Sequence, residues 1–516
     1  ARELLRAARS ADDAAIGRIR TVSESAASGD VQLADAQLAV AREYGYPSWT
    51  RLKAEVDRRL ATLAEQVDAF CVASIRGYDD RVLRLLEANP EIATYNFATA
   101  ILLGDDERVR RELEREPAAA TRPDPRSGWT PLHAVCASRW HRLDPGRAPG
   151  LLAVARRLLD AGADPNGGAS GGNSGWTPLR CAVAGAANPA ITRLLLDRSA
   201  IPTDHDVYLA CFGGDGLASL RLVLEHAPFL ATSTALAAPI STGDIEAVRL
   251  LLAAGVDPRV PTPAELYGEG YEDEQAWPTV YAAIRSECSP VLIRLLLDHG
   301  ADPNESGPDG RSPYRLADAD GRDDVTALLL AYGGRDDSTP VDRFLAACRR
   351  ADRAAATRLL AEHPRLVDEL GRDDRAAIVT AARHGESDAV RLMLDLGLPV
   401  DARDFENGAT ALHAAAYAGS AKTVRALLDG GADVAATDMH WGSPALEWAM
   451  VGSGERPTTS DRPDWIAVVR LLLAAGADTS GITLSPDDDK PPSAGVAEFL
   501  RNHGVGNRSG GTGNGS

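Results

Sequence analysis

A short run of leucines followed by a glycine returns along most of this chain at a nearly fixed interval, and that recurrence constrains the fold more than any other feature. Its fullest form lies at 128–166. There Gly128-Trp129-Thr130-Pro131-Leu132-His133-Ala134 is followed by a polar spacer and then by Leu158-Leu159-Asp160-Ala161-Gly162-Ala163-Asp164-Pro165-Asn166. Thr130 is placed to cap a helix by accepting from a free backbone N–H, and Pro131 suits a first-turn position that needs no N–H. Val154, Leu158 and Leu159 fall at helical spacing and form one apolar stripe. Gly162 permits the left-handed residue that ends a helix, and Asp164-Pro165-Asn166 opens a turn. The unit reads helix, turn, helix, turn. Its apolar face is too large to bury alone.

The Thr-Pro-Leu-His string at 130–133 and the Leu-Leu-x-x-Gly-Ala-Asp string at 158–164 resemble the signature of the ankyrin repeat. Related helix ends recur at 85–87, 111–113, 194–196, 222–224, 250–252, 295–297, 328–330, 359–360, 392–394, 426–428, 471–473 and 498–500. Their spacing is about 33 residues, which gives roughly a dozen units. The resemblance implies an all-α solenoid of stacked helix pairs joined by short finger turns. It also implies binding of protein partners in a concave groove.

Composition agrees with such a core. Hydrophobic residues make up 44% of the 516 but aromatics only 5%, so the interior must be aliphatic, built from Ala and Leu. A net charge of −19 argues against nucleic acid, whose binders carry basic stripes; a basic protein or a cationic small molecule matches it better, although solubility alone explains the sign. Cys71, Cys136, Cys181, Cys211, Cys288 and Cys348 lack a Cys-x-x-Cys pair and mostly sit where a helix needs a small apolar filler. No metal, cofactor or disulfide framework is expected, and a reducing, cytoplasmic setting follows. No stretch reaches the roughly 18 apolar residues of a membrane span. Three lysines (Lys53, Lys422, Lys490) against abundant Arg point to a GC-rich, bacterial genome.

Residues 1–64 are read as a helical segment resembling the leader of some bacterial ankyrin proteins, with the task of covering the first repeat. A first array is expected over 65–334 and a second over 338–506, with 507–516 a flexible tail. The division rests on Val67-Asp68-Ala69-Phe70 and its echo Val341-Asp342-Arg343-Phe344, and on the glycine-bearing break at 333–340. Three insertions interrupt the period, at 139–147, 261–277 and 452–464, where exposed edges and functional loops are expected.

Tryptophan is the informative residue for binding. Trp129 and Trp176 precede Thr-Pro-Leu, a slot that in the family projects toward the groove. Trp140, Trp277, Trp441 and Trp448 lie in or beside similar segments, with Tyr271, Arg285 and Tyr417 completing the candidate binding set. The resemblance implies that His133 and His413 tie neighbouring repeats together, with Arg180, Arg315 or Glu447 in the same slot elsewhere. Under an enzymatic alternative alone, His141 and Asp144 could pair as imidazole and carboxylate for general base work, but nothing places a nucleophile beside them. Glu272 and Asp273 belong to an acidic patch that lacks EF-hand spacing. The acidic run at 487–489 is read as a solvated charge run. Gly168-x-Ser170-x-Gly172 has no buried strand before it and is read as a loop, not a nucleophile elbow. Gly419-Ser420-Ala421-Lys422-Thr423 lacks the glycine a phosphate loop places before its lysine.

The expected function is therefore an acidic scaffold that binds a protein or peptide. The alternative is an enzyme or small-molecule site in which the insertions act as lids and His141, Asp144, Glu272, Asp273 and Glu447 supply the chemistry. Because neighbours share the leucine face, Leu159→Asp should unfold more than its own repeat. A thermal melt indistinguishable from wild type would contradict this.

Overall fold

The computed structural model describes residues 1–10, 12–20, 32–44, 49, 52–53, 62–125, 127–169, 175–214, 217–267, 275–404, 407–455, 463–480, 482, 484 and 490–505. Several residues of interest lie outside these: Tyr271, Glu272 and Asp273, Ser170 and Gly172, the acidic run at 487–489 and the tail from 507. Among the described residues the regular structure is helical, and β-pairing is confined to isolated bridges at the bases of fingers.

Helices come in pairs, as the leucine stripe requires. Pro131–Ala137 is followed by Ala148–Asp160, Thr279–Arg285 by Pro290–Asp298, and Ala411–Tyr417 by Ala421–Asp429. The first helix of each pair is short and small-residue rich; the second carries the leucines. The turn after the second helix uses the left-handed region, with Gly162, Gly255, Gly300, Gly333, Gly397, Gly431 and Gly476 at φ between +87° and +99°. One expectation fails locally. Thr130 takes the N-cap position, but its hydroxyl does not accept from the backbone; it bonds the His133 ring instead, at 2.8 Å from Nδ1. Where Arg replaces His, the ordinary cap returns, and Thr177 accepts from the Arg180 N–H at 3.1 Å.

The chain divides into two compact units, one of residues 61–317 and 323–337, the other of 1–60, 318–322 and 338–516. In the first unit a continuous aliphatic core runs from Val67 to Leu329, with Leu132, Leu158, Leu195, Val223, Leu251 and Leu296 fully buried. In the second, Phe344, Val390, Leu427, Val469 and Leu500 play the same part. The helices Arg2–Arg9, Asp13–Arg20 and Leu33–Glu43 enclose a small core of their own around Leu4, Ile19 and Ala36, closed by a two-bond ion pair from Arg18 to Glu43. Five of the six cysteines are buried and Cys71 is half-buried; none forms a disulfide. No described helix is long and apolar enough to cross a membrane.

In the helix Ala148–Asp160 the two adjacent leucines are unequal. Leu158 is fully buried, while Leu159 is half-buried at the edge of the same core. Leu158→Ala should therefore lower stability by about 2–5 kcal/mol and Leu159→Ala by clearly less. Urea melts of the two variants check the order, and equal losses would show the stripe to be misassigned.

Candidate functional site

Polar contacts between consecutive repeats set the frame in which any site must sit. Thr410 N–H donates to His413 Nδ1 at 3.2 Å, so that nitrogen carries no proton, and Nε2–H donates to the Ser443 carbonyl in the next finger at 3.1 Å. His133 makes the equivalent reach, Nε2 to the Trp176 carbonyl at 3.1 Å. Arg180, in the same slot, bonds the buried Asp206 at 3.2 Å. Glu447, in that slot of the repeat after that of His413, stays within its own repeat and accepts from the Ser443 hydroxyl at 2.6 Å. Turn asparagines add further ties: Asn166 bridges to Ser199 and Ile201, and Asn304 to Gly333 and Arg335. These groups are spent on structure.

The insertion at 139–147 is spent in the same way. Arg139 donates to the Gly77 carbonyl at 2.9 Å, Arg147 to the Leu103 carbonyl at 3.1 Å, and Ser138 to the Leu102 carbonyl at 2.7 Å. Each acceptor is at a helix C-terminus, where carbonyls lack partners within the helix. Trp140 is buried, 6.2 Å from the Phe70 ring, with Arg147 over its face. The His141–Asp144 pair of the enzymatic alternative does not form: Asp144 accepts from Gly146 N–H and Arg147 Nε. Burial pushes the His141 imidazole below its usual range, an effect reinforced by Arg142.

The indoles before Thr-Pro-Leu also depart from expectation. Trp129 is only 8% exposed and packs 6.3 Å from half-buried Trp176, so fingers stack on each other through these rings. Trp277 is buried edge-on to Tyr281, with half-buried Arg285 over its ring. The base of its loop is closed by paired bonds with Thr262. Trp129 and Trp176 turn inward because a flat ring covers more area between two fingers than on one, whereas Trp277 packs on the helix that follows it.

Tyr417, Trp441 and Trp448 behave differently, and the structure brings them together. Trp441 and Trp448 meet at 5.7 Å and Trp448 and Tyr417 at 6.0 Å, each nearly edge-to-face. Trp441 is 60% exposed and Met439 beside it 74%, while Trp448 and Tyr417 are half-buried. Asp438 holds this finger in place. Its carboxylate accepts from the His440, Trp441 and Ser443 N–H groups at 2.9, 2.6 and 3.0 Å and from Trp448 Nε1 at 3.0 Å. Burial alone would raise the Asp438 carboxyl, but these donors outweigh it and hold it below its usual range. The neighbouring finger adds Arg403, which donates to the Thr437 carbonyl at 2.8 Å, and Asn407, whose carbonyl accepts from Met439 N–H at 2.8 Å. At the far end the Tyr417 hydroxyl donates to Glu455 at 2.6 Å. The result is an aromatic ladder running from an exposed finger to a carboxylate.

Sequence reasoning missed Asp438, Met439 and Glu455. It also missed Tyr208 and Phe212, which stack edge-on at 5.3 Å with Phe212 half-exposed. The four-residue spacing, running from the helix Asp204–Ala210 into the turn after it, was the available signal there.

An ankyrin repeat model matches residues 127–167, and a model of three ankyrin repeats matches residues 344–438. No curated protein matches the chain. Among solved structures, the human ASB11 ankyrin repeat domain is 22% identical over 47% of this chain and 98% of that one, with a TM-score of 0.22. The ankyrin repeat domain of Bcl-3, a member of the IkappaB family, is 23% identical over 52% of this chain and 97% of that one, with the same TM-score of 0.22.

Burial holds the His133 and His413 imidazoles below their usual range, so the folded chain favours them neutral. Their contribution to stability is complete above the unfolded value of about 6.5 and is lost as pH falls through the lower folded value. Melting temperature should therefore drop between about pH 7 and 5, before most carboxylates titrate. The drop should shrink in a His133→Gln, His413→Gln double variant; an identical pH profile would contradict the neutral-imidazole assignment.

Proposed function

The chain carries ankyrin repeats, and from that premise we propose that it is a non-catalytic binding protein. It takes a segment of a protein partner along the ladder of Trp441, Trp448 and Tyr417. Ankyrin repeats generally serve as protein–protein interaction modules, which supports the class of function. The observation that carries the choice of site is Trp441: a large indole left 60% exposed, yet fixed by the Asp438 turn and by edge-to-face contact with Trp448. Exposed aromatic area already held in place loses little freedom on binding, which is why such residues dominate interfaces. The acid balance of the chain, −19, supports a basic partner and faster encounter at low salt.

The enzymatic alternative finds less support. Asp144 is engaged by Arg147, and Glu447 by Ser443. The buried Trp140 and Trp277 serve the core.

Affinity capture from lysate of the source cell, followed by calorimetry on the captured partner, tests the site. Trp441→Ala should weaken binding by about thirtyfold, the scale of a hot-spot aromatic, with an unchanged melting temperature. Equal affinity of variant and wild type would remove the ladder from the interface.

A further inference from the structure

The carboxylate at the end of the ladder already holds a cation from the same chain. Glu455 receives the Tyr417 hydroxyl on one oxygen at 2.6 Å and Lys490 Nζ on the other at 2.9 Å. Lys490 is one of three lysines in the sequence. Its side chain is 61% exposed, so the pair is held in a setting where water competes.

The backbone after Lys490 is anchored independently of that ion pair. Ser493 N–H donates to the buried Ser453 hydroxyl at 2.9 Å. The Pro491 carbonyl lies against Gly454, where a Cβ would stand 2.2 Å from its oxygen and so has no room. The strap at 490–493 therefore stays in place whether or not the ammonium is on Glu455. Lys490 is a side chain tethered beside a carboxylate and able to leave it.

We propose that Lys490 is an internal stand-in for a cationic side chain of the partner, and that binding exchanges one for the other. The proposal rests on the ladder being the binding site and names what its acidic end recognises: a lysine or arginine a short way along from an apolar anchor. The spacing follows from geometry. Steps of 5.7 and 6.0 Å between rings, then the phenol and a 2.6 Å bond, cover at most roughly 17 Å. An extended peptide rises about 3.3 Å per residue, so anchor and cation should stand about four or five residues apart. Because an exposed ion pair is populated only a few-fold over its open form, removing Lys490 should improve binding by about two- to sixfold.

The probe is a set of synthetic peptides of about ten residues, long enough to cover the ladder in extended form. Each has a Gly/Ser background, one tryptophan or leucine, and one lysine or arginine at every separation from it. Fluorescence-polarisation titrations would use the full chain as wild type and as Lys490→Ala, Lys490→Gln, Glu455→Gln and Trp441→Ala. The proposal expects an optimum at the stated spacing and tighter binding by both Lys490 variants. It also expects Glu455→Gln to lose the preference for a cation while still binding the apolar anchor. Unchanged or weaker binding by the Lys490 variants, or an intact cation preference in Glu455→Gln, overturns it. If either occurs while Trp441→Ala still loses binding, the ladder survives and only the exchange fails. If Trp441→Ala also binds normally, or no peptide binds any variant, both fall.

Discussion

A helix pair with one leucine face cannot bury that face against itself, and the remainder of this structure answers that constraint. Leu158, Leu195, Val223, Leu251 and Leu296 are each fully buried, in successive repeats of one continuous core. At roughly 25 cal/mol per Å² of apolar surface, each such side chain is worth about 1.5–3 kcal/mol, and only a neighbour makes it available. Stability in such arrays is a sum of repeat terms and nearest-neighbour interface terms. The shared core also explains why the polar ties are directed along the stack. His133, Arg180, Asn166 and His413 each reach into the following repeat.

The ladder depends on the same arrangement. Tyr417 and Trp448 sit on adjacent first helices, and Trp441 on the finger between them. Their geometry is set by packing and by the bonds to Asp438. Glu455 carries a carboxyl that burial alone would raise, but its bonds from Tyr417 and Lys490 hold it below its usual range. The same burial, with Glu455 as acceptor, pushes the Tyr417 phenol up.

Much of the fold could be read from local signals. The leucine runs marked the second helices, the glycines after them marked the left-handed turns, and the histidine slot was rightly read as structural. What could not be read depended on contacts distant in sequence. The insertion at 139–147 looked like a free loop, because nothing local shows Arg139 reaching Gly77 or Arg147 reaching Leu103, 62 and 44 residues away. Trp129 was expected to face the groove and is buried, since finger-to-finger packing is a property of two repeats at once. Thr130 lost its capping role to the ring of His133, which the Trp176 carbonyl, 43 residues away, holds by its other nitrogen. Trp441, Trp448 and Tyr417 were named as separate candidates. Their convergence on Asp438 and Glu455 required the register of two adjacent repeats.

Native-state hydrogen exchange across Ala411–Tyr417 and Ala445–Glu455 tests the dependence of site on shared core most directly. If each helix is stable only through the other, their most protected amides should open with the same free energy, to within about 1 kcal/mol, and with the same denaturant dependence. Opening of Ala445–Glu455 at several kcal/mol lower cost, with Ala411–Tyr417 still fully protected, would mean that the two helices are held separately and that the ladder is not fixed by their packing.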